Sequence, residues 1–131
     1  DGFSRATVRR AISTVLAGED IKDAEFSVAF LSAQRMRALN RRLLGHDRST
    51  DVIAFGLPHP EVLVGDIYIC PSNARRSAAE LHVSEKEELV RLVVHGTLHS
   101  LGYDHPEGEE RYSSEMWWLQ EAYLKETLRG S

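Results

Sequence analysis

Val93-Val94-His95-Gly96-Thr97-Leu98-His99-Ser100-Leu101-Gly102-Tyr103-Asp104-His105 is the stretch from which the rest of the chain is best read. Its apolar residues continue a helical spacing that starts at Leu89 and Leu92. Ser84 followed by Glu87 has the form of a capping box at the helix start, and Gly102 is a natural residue just past its end. His95 and His99 stand at i and i+4, so both imidazoles project from one helix face. Gly102 lets the backbone leave the helix in a left-handed conformation, which allows His105 to swing back beside them. Three neutral imidazoles leave a fourth position open, the arrangement of a catalytic rather than a structural metal. His95, His99 and His105 are therefore the expected metal ligands and, through the metal, the expected catalytic residues. One divalent ion per chain is expected. Zinc is the first choice, and nickel, cobalt, iron and copper also accept imidazole. His46, His59 and His82 lack such a context and read as ordinary residues.

Outward from this helix, Ser4 to Leu16 reads as a helix with Val8, Ile12, Val15 and Leu16 on one face and Gly18 as its stop. Glu25 to Leu31 alternates and reads as a strand. Ser32 can cap a helix running through Leu44, burying Met36, Leu39 and Leu43, with Gly45 at its end. Asp51 to Leu57 is a second strand, and Pro58, His59 and Pro60 form a loop. Val62 to Val64 reads as a short strand separate from a clear one at Asp66 to Cys70. Pro71 opens a helix to about Leu81, and the histidine helix runs from Ser84 to about Leu101. A last helix spans Gly108 to Leu128, with Tyr112, Met116, Leu119 and Tyr123 on one face. Strand, helix, strand over 25–57 implies a parallel crossover between those two strands. The short link that follows suits antiparallel pairing of the next strand. The expected fold is an α+β (α/β-like) single domain over 1–131. It combines a small mixed β-sheet of three to four strands with about five helices, and carries a zincin-like metal site on a helix and the turn after it.

The chain has 131 residues, enough for a single core with no staple. The lone cysteine, Cys70, excludes an intrachain disulfide and a thiolate metal site. It suits a reducing, cytoplasmic setting. No apolar run is long enough for a membrane helix, and the first residues read as a helix rather than a signal peptide. Net charge is −4, which argues mildly against nucleic acid, yet its distribution is uneven. Residues 1–50 carry nine Lys and Arg against six Asp and Glu, whereas 51–131 carry seven against fourteen. Arg35, Arg37, Arg41, Arg42 and Arg48 supply most of the positive excess. They form either a solvated helix face or a surface that tracks phosphates.

The histidine spacing equals that of the metzincin proteases, H-E-x-x-H-x-x-G-x-x-H, apart from one residue. Gly96 stands where those enzymes have the Glu that takes a proton from the attacking water. Peptide hydrolysis therefore lacks its base. A phosphodiester makes a different demand, since a metal can polarise a phosphoryl oxygen while cations neutralise developing charge.

H-G-T-L-H-S-L-G-Y-D-H at 95–105 resembles the signature of the YbeY family, bacterial endoribonucleases of ribosomal RNA maturation. Leu39-Asn40, Asp47 and Ser49-Thr50-Asp51-Val52-Ile53-Ala54-Phe55 are similar to the family's L-N…D-x-P-T-D-V-L-S-F. Gly65-Asp66-Ile67-Tyr68-Ile69-Cys70 is similar to its G-D-I-x-I, and Met116 and Glu121 resemble its Met and Glu in the last helix. The likeness covers about residues 25–125. It implies a metal-dependent, single-strand-directed endoribonuclease of the bacterial cytoplasm, active in ribosomal RNA maturation and ribosome quality control. His95, His99 and His105 match the family's ligands. The implied partners are ribosomal RNA and, with it, ribosomal proteins or the small ribosomal subunit. Leu43 and Leu44 stand where the family usually has Tyr-Arg. Arg41, Arg42 and Arg48 flank that gap and are the expected substrate-binding residues. Two other readings remain: a metal-dependent hydrolase of a peptide or ester bond, and an RNA- or ribosome-binding protein whose metal is mainly structural.

Overall fold

The structure, a computed structural model, describes residues 2–57, 62–106 and 108–130. Among these residues five α-helices and three strands follow in the order α1 (Arg5–Gly18), β1 (Ala24–Phe30), α2 (Ala33–Leu44), β2 (Val52–Leu57), β3 (Leu63–Ile69), α3 (Pro71–Leu81), α4 (Glu85–Ser100) and α5 (Glu115–Arg129). A 3-10 helix, Gly108–Ser113, precedes α5. No helix is long and apolar enough to cross a membrane among the described residues. The expected loop at Pro58, His59 and Pro60 lies outside the described residues.

Local chemistry accounts for the helix ends. Ser4, Ser32, Ser84 and Ser114 each sit at an N-cap and accept a hydrogen bond from the backbone three residues on. The reciprocal half of the capping box forms at Ser4 with Thr7, whereas at Ser84 only the serine half is made. The Glu87 carboxylate is drawn instead to Arg91. Pro71 opens α3 at its first turn, and Gly45 closes α2 at φ +75°. Gly102 takes φ +103°. Its N–H donates to the His99 carbonyl and that of Tyr103 to the Leu98 carbonyl, a Schellman closure of α4.

The sheet order is β1-β3-β2, with β1 parallel and β2 antiparallel to β3. The expected parallel pairing of β1 with β2 is thus corrected: β3 lies between them, and they run in opposite senses. A strand–helix–strand order says that α2 covers the sheet, not which strand inserts at its centre. The expected short strand at 62–64 and the strand at 66–70 are one strand, Leu63–Ile69, because Gly65 pairs in register with both Phe26 and Gly56. The last expected helix divides at Ser114, which caps α5 and leaves Tyr112 in the 3-10 turn.

The two sheet faces are covered unequally. Met36 and Leu39 of α2 pack with Ile53 and Cys70 on one side. Leu43, expected to be buried here, is 46% exposed, and Asn40 is buried in its stead. The helix ends one residue later, and the Asn40 amide turns inward to donate to the Arg48 carbonyl at 3.0 Å. On the other side Ile67 and Ile69 meet α4, which also touches α1, α3 and α5. Helix α4 is therefore the central helix of the molecule.

Close approach of α4 to β2 depends on Gly56, where a Cβ would overlap the Ser100 carbonyl oxygen. Nearby, the Ser100 hydroxyl donates to the Phe55 carbonyl at 3.3 Å. Gly56→Ala should push α4 away from the sheet and cost about 3 kcal/mol, near the upper end of overpacking effects. Chemical denaturation measures this, and a destabilisation below about 1 kcal/mol would contradict the packing described.

Candidate metal centre

From Glu88 to Ser100 every residue of α4 is buried except Arg91, His95 and His99, which keep some exposure. They stand at i, i+4 and i+8 and so form one stripe. The helix is otherwise engulfed, and this stripe is where its chemistry reaches the surface. The His95 and His99 rings lie nearly parallel, with centroids 6.1 Å apart. His105, past the Gly102 turn, brings its ring centroid to 5.1 Å from that of His95. The three expected ligands are thus ring neighbours. They do not form a closed cage: among the described residues, no group of three His, Cys, Asp or Glu stands in an ion-holding arrangement.

The proton positions suit metal ligation. The His95 Nδ1 is 2.8 Å from the Gln120 side-chain oxygen. The Gln120 amide nitrogen donates to Glu121 at 3.0 Å, so its oxygen is left to accept. Nδ1 of His95 therefore carries the hydrogen and Nε2 keeps a free lone pair. His105 shows the same pattern, its Nδ1 donating to the Pro106 carbonyl at 3.0 Å. His99 has a buried Nδ1 with no hydrogen-bond partner. Burial pushes the His95 imidazole below its ordinary value, against the raising effect of Gln120, and the nearby His105 and His99 push it further down. The neutral form that a metal requires is favoured. The Asp51 charge acts on His95 weakly in the opposite sense. The donor set and its free Nε2 lone pairs fit a divalent ion of the zinc type.

Behind His95 lies an ion-pair hub. Arg91 donates to Glu121 at 2.9 Å, to Glu88 at 2.7 Å and to Glu87 at 2.9 Å. Glu121 in turn accepts from Gln120, so a continuous chain runs from Arg91 through Glu121 and Gln120 to His95. Sequence reading missed Arg91 and Gln120. Glu87 and Glu88 at i−4 and i−3 from Arg91 were a legible sign of helical ion pairs. Nothing local pointed to Gln120, which reaches His95 from another helix.

A second anchor holds the turn that carries His105. The Glu19 carboxylate accepts from the hydroxyl of Tyr103 at 2.6 Å and from that of Tyr123. One carboxylate thereby ties α1, α5 and the loop after α4 together. The hydrogen bond to Glu19, the leading cause, raises the Tyr103 phenol to about 12, and burial raises that of Tyr123 in the same direction. Both phenols hold their protons more tightly in the folded state than in the unfolded one. Their contribution to stability is complete below about pH 10; that of Tyr103 is lost as pH rises through about 12, and that of Tyr123, raised further, is lost later. Tyr103→Phe and Tyr123→Phe together should flatten the fall of stability above pH 10 in alkaline denaturation. An unchanged alkaline limb would contradict this.

Gly96 explains why no acid stands between the paired histidines. A Cβ there would lie 2.8 Å from Cγ2 of buried Ile67, so position 96 faces the sheet and not the histidine stripe. Met116, 1% exposed, belongs to the core, as its helical spacing suggested. His46 accepts from Arg48, His82 ends α3 in a left-handed conformation, and His59 lies outside the described residues.

Arg37 pairs with Asp47 through two hydrogen bonds, at 2.8 and 3.1 Å, and Arg41 approaches the same carboxylate at 3.7 Å. Arg41, Arg42 and Arg48 are all exposed. Their loop leads directly into Asp51, but among the described residues none of the three hydrogen-bonds to a histidine of the centre. Leu44 is 50% exposed, so an arginine would find room there.

A small α+β domain with a buried helix bearing an H-x-x-x-H pair and a third histidine past its C-terminal glycine defines a class of histidine-centred sites. Comparison with known proteins narrows it. The family model described as Endoribonuclease YbeY matches residues 3–128. An Endoribonuclease YbeY of Thermotoga maritima is 38% identical over 108 residues, 82% of this chain and 71% of its own. One of Persephonella marina is 33% identical over 124 residues, covering 91% of this chain and 80% of its own. A Thermotoga maritima protein solved in solution superposes with a TM-score of 0.67 at 30% identity, covering 98% of this chain and 87% of its own. The chain belongs to the YbeY endoribonuclease family.

Proposed function

We propose that the protein is a metal-dependent endoribonuclease that hydrolyses phosphodiester bonds of single-stranded ribosomal RNA during ribosome maturation and quality control. The observation that carries the reading is the grouping of His95, His99 and His105, with Nε2 free on two of them, in a chain of this family. These three residues would hold the ion, which when bound lowers the pKa of water and polarises a phosphoryl oxygen. Gln120 keeps the His95 hydrogen on Nδ1 and so fixes the ring's orientation. The Pro106 carbonyl does the same for His105. Arg41, Arg42 and Arg48 supply exposed cations for the RNA backbone, which position a strand without reading its bases. The setting is the cytoplasm, and the partners are the small ribosomal subunit and its proteins. Position 96, turned to the sheet, offers no base for peptide hydrolysis.

Cleavage of an end-labelled single-stranded RNA, with the same sequence as a duplex beside it, tests this directly. The single strand should be cut and the duplex spared. Peptidase or esterase activity with no RNA cleavage would overturn the proposal. Replacing Arg41, Arg42 and Arg48 together by Ala should weaken RNA binding for all sequences. It should also reduce the salt slope by about 0.7 for each phosphate that is no longer neutralised. Unchanged affinity and slope would mark the basic segment as a solvated face.

A further inference from the structure

The outer face of α5 carries a groove that the histidine centre does not use. Tyr112, Trp117, Trp118, Ala122, Lys125 and Arg129 line it, around an open volume of about 500 Å³. Trp118 is 72% exposed, more than any other large apolar side chain among the described residues. Trp118, Ala122, Lys125 and Arg129 follow one another at i, i+4, i+7 and i+11, so they form a single stripe along the helix. Tyr112 and Trp117 meet edge to face at 4.7 Å, and the Arg111 guanidinium lies 4.9 Å over the Tyr112 ring, which holds the wall of the groove in place.

The two cations of the stripe are free to meet a ligand. Lys125 and Arg129 enter no ion pair among the described residues. The acid on the groove wall, Glu121, is already paired with Arg91. Glu115 adjoins Trp118 together with Ser113 and Leu119, and Glu126 follows Lys125 along the helix. A phosphate would therefore meet Lys125 and Arg129 along the stripe. An exposed indole next to unpaired cations is the combination that holds single-stranded nucleic acid: a base stacks on the ring while the flanking phosphates meet the cations.

We propose that this groove is an RNA-binding site separate from the histidine centre, in which Trp118 stacks on one base of a single strand and Lys125 and Arg129 contact its phosphates. The proposal rests on the reading of the protein as an enzyme acting on RNA, and it adds where the strand is held away from the cut. Glu121 joins the two regions, since it lines the groove and also accepts from the Gln120 that holds His95.

The chain has two tryptophans, and both line this groove, so tryptophan fluorescence reports on it alone. The test titrates the full chain with a twelve-nucleotide oligouridylate in the presence of a chelator, to prevent cleavage. Saturable quenching is expected. Trp118→Ala should lower the affinity roughly tenfold, and Trp118→Phe should restore much of it. Lys125→Glu with Arg129→Glu should lower affinity and reduce the salt slope by about 1.4. RNA binding that leaves fluorescence and the Trp118→Ala affinity unchanged would overturn the proposal. So would self-association, or capture of a ribosomal protein, that depends on Trp118 while RNA does not. Failure of the catalytic reading looks different: RNA quenches and binds, but metal restores no cleavage.

Discussion

Arg91→Ala is expected to destabilise the fold by about 3–5 kcal/mol, the range found when one partner is removed from a buried ion pair. The Arg91 side chain is only 12% exposed and Glu88 only 5%, so solvent cannot replace the missing partner. Burial raises the Glu88 carboxyl, and Arg91 is what opposes that shift. Without the guanidinium, Glu87, Glu88 and Glu121 would crowd one another on the surface of the central helix. Arg91→Lys should recover only part of the stability, because a single ammonium cannot reproduce the fork that reaches three carboxylates. Urea denaturation of the two variants measures this. A destabilisation below about 1 kcal/mol for Arg91→Ala would mean that the hub is a screened surface cluster. The same variant should also bind metal more weakly, since Glu121 would no longer hold Gln120 against His95.

His105→Ala is expected to lower RNA cleavage by about a thousandfold or more while leaving a cooperative unfolding transition. The two effects separate because the core is built elsewhere. Ile67, Ile69, Val90, Val93, Val94 and Leu98 are fully buried, and from the turn that carries His105 it is Leu101 and Tyr103, not the imidazole, that pack against them. Tyr103, held by Glu19, keeps that loop in place after the imidazole is removed. Unfolding of His105→Ala at room temperature, or of the wild type on chelation, would show a structural metal rather than a catalytic one.

The histidine helix was legible because periodicity, capping serine, terminal glycine and histidine spacing all agreed over one short segment. The positive φ of Gly102 and the Schellman bonds at the end of α4 follow from that local pattern. Features that depend on distant partners were not legible. Glu87 has the sequence position of a capping-box acid, yet Arg91 one turn away competes for its carboxylate and wins. Leu43 has the right spacing for burial, but the chain turns at Gly45 and Asn40 is needed inside to bind the Arg48 carbonyl. The central place of β3 is a matter of topology, which strand-by-strand patterns do not encode. Gln120 reaches His95 from a helix whose sequence carries no mark of that role. Family likeness supplied the reaction class, while the arginines it left uncertain are exposed.

The most direct test measures bound metal by elemental mass spectrometry beside cleavage of a single-stranded RNA, in the wild type and in His99→Ala. The account predicts about one divalent ion per chain and cleavage abolished by chelation in the wild type, with neither metal nor cleavage in a folded His99→Ala. A wild type that cleaves RNA while metal-free, or a His99→Ala that retains both ion and activity, would contradict it.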